Sequence, residues 1–335
     1  MIVFLICLVS FEIFQLVNTR HRNDSKIVGG KYVADIRQMP WLVNIQMEDV
    51  GHICGGSVLS PIFVVSACHC LVNEVSSDKD KPSVAVPVEE LTFVAGTLQS
   101  VDPEKNDDPH KQTRKADYLL IHPKCRDENR IQVFDYALAV LHKPFLFNDY
   151  VKSINILSMQ NHTFEEKLGE IVKNPKSSCY VAGWGEVRRG PIGEEDEGIM
   201  SKKLKMMEMN LISDDKCREM FAHNNEKFET FDFKKHHQLC AIGSNRWGSD
   251  CQGDSGGPLV CEGYQIALVS YGFQCGTSSP GTYADLGPFV EWFNESVLSY
   301  VYGRKASTAP AARNPHSASY GYVLINLLLT IVAVS

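Results

Sequence analysis

Short apolar runs rich in β-branched and aromatic residues recur along the chain. They are Trp41–Met47, Val58–Ala67, Leu91–Ala95, Ala137–Leu141, Cys179–Ala182, Pro258–Cys261 and Gln265–Ser270. Polar, turn-rich stretches separate them, so each run reads as a strand. Their succession without regular helical stretches predicts an all-β barrel or sandwich rather than βα units. No internal repeat suggests a solenoid or propeller. Near the end, Val290, Phe293, Val297 and Leu298 recur at helical spacing and predict one closing helix over Glu291–Tyr300. Val75–Pro87 and Asp102–Lys115, dense in charge and proline, predict surface loops that restrict access to a site. Phe221–His237 mixes aromatic and charged residues and predicts a solvated loop with some helix.

The two ends differ from this pattern. Met1–Leu16 is largely apolar, interrupted by Glu12, and reads as a secretory signal peptide over residues 1–19. A short polar segment, residues 20–26, follows it. Residues 301–321 are rich in Ala, Ser and Pro and read as a flexible linker. The terminal apolar tail, residues 322–335, is shorter than the about 17 residues a membrane crossing needs. Small residues Ser307, Thr308 and Ala309 ahead of that tail suit a GPI-attachment signal at the cell surface. A marginal membrane anchor, or a secreted soluble form whose tail anchors nothing, are the alternatives.

Composition narrows the classes further. The chain has 335 residues, 44% hydrophobic and 22% charged, enough for a substantial core. A net charge of −7 with no long Lys/Arg run excludes nucleic acid as an expected partner. Of eleven cysteines, Cys7 falls in the signal, which leaves ten. An even number in an exported chain predicts up to five disulfides and an oxidising compartment. Cys68-His69-Cys70 has the wrong spacing for zinc, and no second Cys/His pair completes a site, so neither metal nor cofactor is expected. Asn23, Asn161 and Asn294 head glycosylation sequons.

The strongest chemical signal is Gly253-Asp254-Ser255-Gly256-Gly257-Pro258. Glycines around a serine permit a tight turn that exposes the hydroxyl and lets backbone N–H groups converge on an oxyanion. A serine nucleophile needs a base, for which His69 is the candidate, and the base needs a buried acceptor, for which Asp135 is. Taken singly, His69 reads more readily as a core histidine and Asp135 as a strand-start residue.

Together with Ile27-Val28-Gly29-Gly30, Pro40-Trp41, Cys54-Gly55-Gly56-Ser57, Gly183-Trp184-Gly185 and Ser270-Tyr271-Gly272, these segments closely resemble the chymotrypsin/trypsin family of serine proteases. The order His, Asp, Ser is also that family's. The resemblance spans Ile27 to about Leu298 and implies a protease domain over residues 27–300. The implied fold is all-β: two antiparallel six-stranded β-barrels with a C-terminal helix and the active cleft between the barrels.

By resemblance, Ser255 attacks the scissile carbonyl, His69 carries the proton and Asp135 orients His69. The N–H groups of Gly253 and Ser255 form the oxyanion hole, and Ser270, Tyr271 and Gly272 pair with an extended substrate. Cleavage after Lys26, by another protease or by the enzyme itself, would free the ammonium of Ile27 to pair with Asp254. Residues 20–26 would then be a pro-segment. Four disulfides carry over from the family: Cys54–Cys70, Cys179–Cys261, Cys217–Cys240 and Cys251–Cys275. Cys68 and Cys125 are left, either as a fifth bridge beside the triad or as two buried thiols.

Specificity departs from the pattern. The trypsin-like aspartate at the pocket base is here Ser249, and the acidic residue is its neighbour Asp250. Gly272 and Gly281 would keep the pocket open. Asp250 points to Lys or Arg at P1; Ser249 with open walls points to large apolar or aromatic P1. The implied partners are protein or peptide substrates and protein inhibitors. A catalytically inactive binding protein is the alternative of another class, and a complete triad argues against it.

Overall fold

A computed structural model describes residues 30–100, 108–128, 131–186, 199–223, 225–245, 248–272, 275, 277, 279–301 and 311–313. The signal and pro-segment, Asn23, Lys26, Ile27 and the tail 322–335 lie outside the described residues.

Two antiparallel sheets dominate. The N-terminal sheet contains β1 (Leu42–Met47), β2 (Gly51–Ser60), β3 (Phe63–Ser66), β4 (Leu91–Ala95), β5 (Ala116–Ile121) and β6 (Ala137–Leu141). They run in the spatial order β5-β6-β3-β2-β1-β4, and the sheet curls strongly without a hydrogen-bonded seam between β4 and β5. The C-terminal sheet contains β7 (Cys179–Gly183), β8 (Lys205–Ile212), β9 (Gln238–Gly243), β10 (Pro258–Cys261), β11 (Tyr264–Gly272) and β12 (Gly281–Asp285). Here pairing of β8 with β9 closes a six-stranded barrel in the order β8-β7-β10-β11-β12-β9. The fold is therefore all-β, with one closed barrel and one near-barrel.

Side-chain alternation explains which runs were unbroken in the sequence. Phe63 and Val65 on β3, like Leu138 and Val140 on β6, face the core shared with the C-terminal barrel and its helix. Val64, Ala137, Ala139 and Leu141 face the core of the N-terminal sheet instead. Strands buried on both faces lose the polar-out alternation and read as continuous apolar stretches. Within Val58–Ala67 the chain turns at Pro61, and the single expected strand is the end of β2 plus β3. Ser60 Oγ accepts from the N–H groups of Ile62 and Phe63 at 3.3 and 3.2 Å, which fixes that corner.

Among the described residues three α-helices complete the fold: α1 (Asn161–Lys173), α2 (Asp214–Ala222) and α3 (Gly287–Val301). The closing helix α3 starts four residues before the expected Glu291. In α1, which the strand pattern did not predict, Phe164 and Leu168 point one way at i, i+4 and are buried, and the helix packs on α3. The Phe221–His237 stretch has the expected helical turns and exposed residues, but it is not wholly solvated. Phe221, Phe228 and Phe233 are fully buried in a small aromatic core with Cys217 and Cys240, and Phe221 and Phe228 stack at 5.0 Å.

Candidate active site

His69 lies in the 3-10 turn Cys68–Cys70 directly after β3, and Asp135 lies just before β6. Because β3 and β6 pair antiparallel with Ala137 opposite Ser66, the ends that carry the two residues are adjacent. His69 Nδ1 is 2.9 Å from Asp135 Oδ2, and the His69 backbone N–H donates to Asp135 Oδ1 at 3.0 Å. Ser270 Oγ, from β11 of the other barrel, donates to Asp135 Oδ2 at 2.6 Å. Both carboxylate oxygens are thus engaged, on a residue only 1% exposed.

Those contacts set the charges. Burial alone would disfavour ionised Asp135, but His69 and the donors from Ser270 and the His69 backbone outweigh it and hold the carboxyl below its ordinary value. Burial likewise works against protonated His69, yet the Asp135 charge and hydrogen bond win and raise the imidazole above its ordinary value. Neutral His69 with Nδ1–H towards Asp135 leaves Nε2 as a free acceptor. Nε2 lies 3.8 Å from Cys70 Sγ, and no hydrogen bond joins it to Ser255 Oγ.

Ser255 lies on the loop before β10, and His69, Gln132, Ser255 and Ser270 line one open cleft of about 680 Å³ between the two sheets. Gly253 and Gly256 have φ of 90° and 74°, the left-handed region in which glycine is nearly free of strain. The turn spends its N–H groups unevenly. Asp254 N–H donates to Cys251 O, Gly256 N–H to Val269 O and Gly257 N–H to Asp254 O. The N–H groups of Gly253 and Ser255 have no acceptor among the described residues. His52 Nε2 lies 2.9 Å from Gly253 O and tethers the turn from the other barrel.

Asp254 points away from the cleft into a slot walled by Gly183 and Gly185, where neither position has room for a Cβ. Its oxygens accept the N–H groups of Gly185 at 2.8 Å and Cys251 at 2.9 Å. Burial is the larger influence and pushes its carboxyl up to about 7.

The cleft deepens into a pocket walled by Ser249, Asp250, Ser270–Gly272 and Pro280–Gly281. A Cβ on Gly281 would come within 2.8 Å of Asp250 Oδ1. Tyr283 OH donates to that same oxygen at 2.5 Å, and burial still raises the Asp250 carboxyl. Tyr271 OH donates to Gln238 Oε1 at 2.7 Å, which fixes the wall strand. Gln132 and Ser279 also line the cleft, and each buries an oxygen without a hydrogen-bond partner, Oε1 and Oγ respectively. Sequence reasoning missed both, since neither residue type nor its spacing marks it out.

Five disulfides are present: Cys54–Cys70, Cys68–Cys125, Cys179–Cys261, Cys217–Cys240 and Cys251–Cys275. Cys68–Cys125 joins the turn that carries His69 to the segment that leads to Asp135. Of the sequons, Asn161 opens α1, and Asn294 Nδ2 donates to Met159 O at 2.9 Å.

A cleft between two such sheets, lined by an imidazole on a buried carboxylate and by a half-buried serine on a glycine turn, defines a serine endopeptidase of the two-barrel class. The family model for trypsin matches residues 27–293, and the chain belongs to that family. It is 29% identical to testisin of Homo sapiens over 278 residues, covering 81% of this chain and 78% of that protein. It is 26% identical to the trypsin of Squalus acanthias over 280 residues, covering 83% of this chain and 98% of that protein.

Proposed function

We propose that this endopeptidase works through His69, Asp135 and Ser255 and cleaves preferentially after basic residues, lysine above arginine. The carrying observation is the His69–Asp135 pair at 2.9 Å, with both Asp135 oxygens already engaged and His69 a competent base where it is neutral, above its raised pKa. Substrate binding brings Nε2 and Ser255 Oγ together; such bonds are often long before substrate arrives. His69 takes the Ser255 proton as Oγ attacks the peptide carbonyl. The free N–H groups of Gly253 and Ser255 receive the oxyanion, and the imidazolium then protonates the leaving amine. Water hydrolyses the acyl-enzyme by the same steps in reverse.

The P1 reading rests on Asp250. Its carboxylate borders the pocket beside Gly281, and an unpaired buried carboxylate is costly until a cation meets it. Tyr283 OH occupies Oδ1. One remaining oxygen suits a compact ammonium better than a guanidinium, whose fork wants two. Large apolar P1 residues are the second reading, favoured by Ser249 at the base and open glycine walls.

Activation follows from Asp254. A buried carboxylate held up at about 7 in a glycine-walled slot gains from an ammonium, and cleavage after Lys26 would supply that of Ile27. The reading also includes export through residues 1–19, and attachment at the cell surface by exchange of the tail 322–335 for a GPI lipid. Release of the protein from cells by a phosphatidylinositol-specific phospholipase checks that attachment. The enzymatic reading is tested by a peptide-library digest with the Lys26-cleaved protein and a Ser255→Ala control. Cuts after lysine, absent from the control, are expected; equal cutting by the control would overturn the triad.

A further inference from the structure

We propose that Glu165, His237 and Asp285 form a zinc site where α1, the turn before β9 and the β12–α3 junction meet. The three come from segments far apart in sequence, yet one donor atom from each lies within 4.8 Å of the others. Two other cysteine-containing clusters meet the same spacing, but their cysteines are spent in disulfides.

Asp285 is the anchor. It is 5% exposed, and Oδ1 accepts the Gly287 N–H at 3.0 Å. Its Oδ2 takes no hydrogen bond among the described residues, and His237 Nδ1 lies 3.8 Å from it. That gap is long for a hydrogen bond but close to the roughly 3.4 Å between two ligands on a tetrahedral zinc with bonds of about 2.0–2.1 Å. Glu165 sits over Gly287, which has no room for a Cβ because of the Glu165 carboxylate, and that carboxylate takes no hydrogen bond either. The helix start beneath it offers little relief, since Gly287 N–H is already committed to Asp285.

The backbone holds the donors in place. His237 has φ of 54°, its N–H donates to Lys234 O at 3.0 Å, and its carbonyl accepts the Asp285 N–H at 3.0 Å. Two carboxylates and one imidazole match zinc with a water in the fourth position, whereas calcium takes six to eight oxygens. A dication at this point would offset the two neighbouring carboxylates, which lie with the imidazole within 4.8 Å of one another.

The site adjoins the triad. Tyr136 OH donates to Asp285 O at 2.6 Å, and the Phe134 ring lies 5.9 Å from that of His237. These are the two neighbours of Asp135, so bound zinc would brace the segment that presents the catalytic carboxylate.

The test is calorimetric titration of the full chain with zinc, and separately with calcium, with melting temperatures read in parallel. One zinc per chain is expected, with a rise of about 5 °C at a hundredfold excess over Kd. Glu165→Gln, Asp285→Asn and His237→Asn (asparagine tolerates the left-handed backbone) should each weaken binding about tenfold or more, with metal-free melting measured as the folding control. Glu165 is exposed on α1, so its variant carries the test if Asp285→Asn does not fold. No zinc binding, calcium bound in its place, or zinc binding unchanged in Glu165→Gln would overturn the assignment.

Discussion

The two barrels contribute unlike halves of the site. The N-terminal sheet is not closed by hydrogen bonds, yet its half is fully assembled, with His69 and Asp135 joined twice and tied down by Cys68–Cys125. The C-terminal barrel is closed, yet its half is incomplete. Ser255 Oγ takes no hydrogen bond among the described residues, and Asp254 behind it is a buried carboxylate bonded to two N–H groups, with the Lys205 charge acting on it but no cation hydrogen-bonded to it. Regularity of the sheet therefore does not decide readiness of the chemistry. Local partners do, and under the proposed activation those of the Ser255 turn are the ones that change.

Removing the brace of the base half should have the largest effect. The Cys68–Cys125 bridge closes a separation of 57 residues. The Cys68→Ala/Cys125→Ala pair should lose roughly 4 kcal/mol of stability, read by denaturant unfolding. Unchanged stability would mean that Asp135 and its hydrogen bonds suffice to hold that half. On the other side, Lys26→Gln should lower kcat/KM about 10²–10³-fold, the size of a lost oxyanion donor, while the fold and the His69 titration by NMR stay as they were. If the His69 titration moved as well, the halves would not be independent.

Asp250→Ser should cost about 10²-fold in kcat/KM for lysine substrates and little or nothing for phenylalanine substrates. Equal losses for both would remove Asp250 from the specificity reading. The smallest effect is in pH dependence. Base catalysis needs neutral His69, so activity falls as pH drops through its pKa. Because Asp135 raises that pKa despite burial, the acid limb of kcat/KM should lie above the ordinary imidazole value of about 6.5. A limb below that value would mean that burial outweighs Asp135.

Much of this was legible in the sequence where one physical cause dominated. β3, β6 and β10 are buried on both faces, and their apolar runs stood out. β8 was not read because its core positions are Met207 and Met209, which alternate with Glu208 and Asn210 and lack β-branched bulk. β12 runs from Gly281 to Asp285, and its glycine and aspartate mask it as a turn. In Phe221–His237 charged residues hid three fully buried phenylalanines. The residues proposed as the triad were visible through their glycine and apolar surroundings. Ser270 as a donor to Asp135, the spare oxygen of Asp250 and the Glu165–His237–Asp285 cluster were not, because each depends on which distant segments meet.

Labelling of the Lys26-cleaved protein with a fluorophosphonate, followed by peptide mapping, tests the assembled site in one step. Modification at Ser255 alone is expected, fast in the cleaved protein, slow with Lys26→Gln, and abolished by prior protonation of His69 at low pH. Peptidase activity that survives while Ser255 stays unmodified, or equal labelling of the cleaved and uncleaved chains, would contradict the division into a ready base half and an activation-dependent nucleophile half.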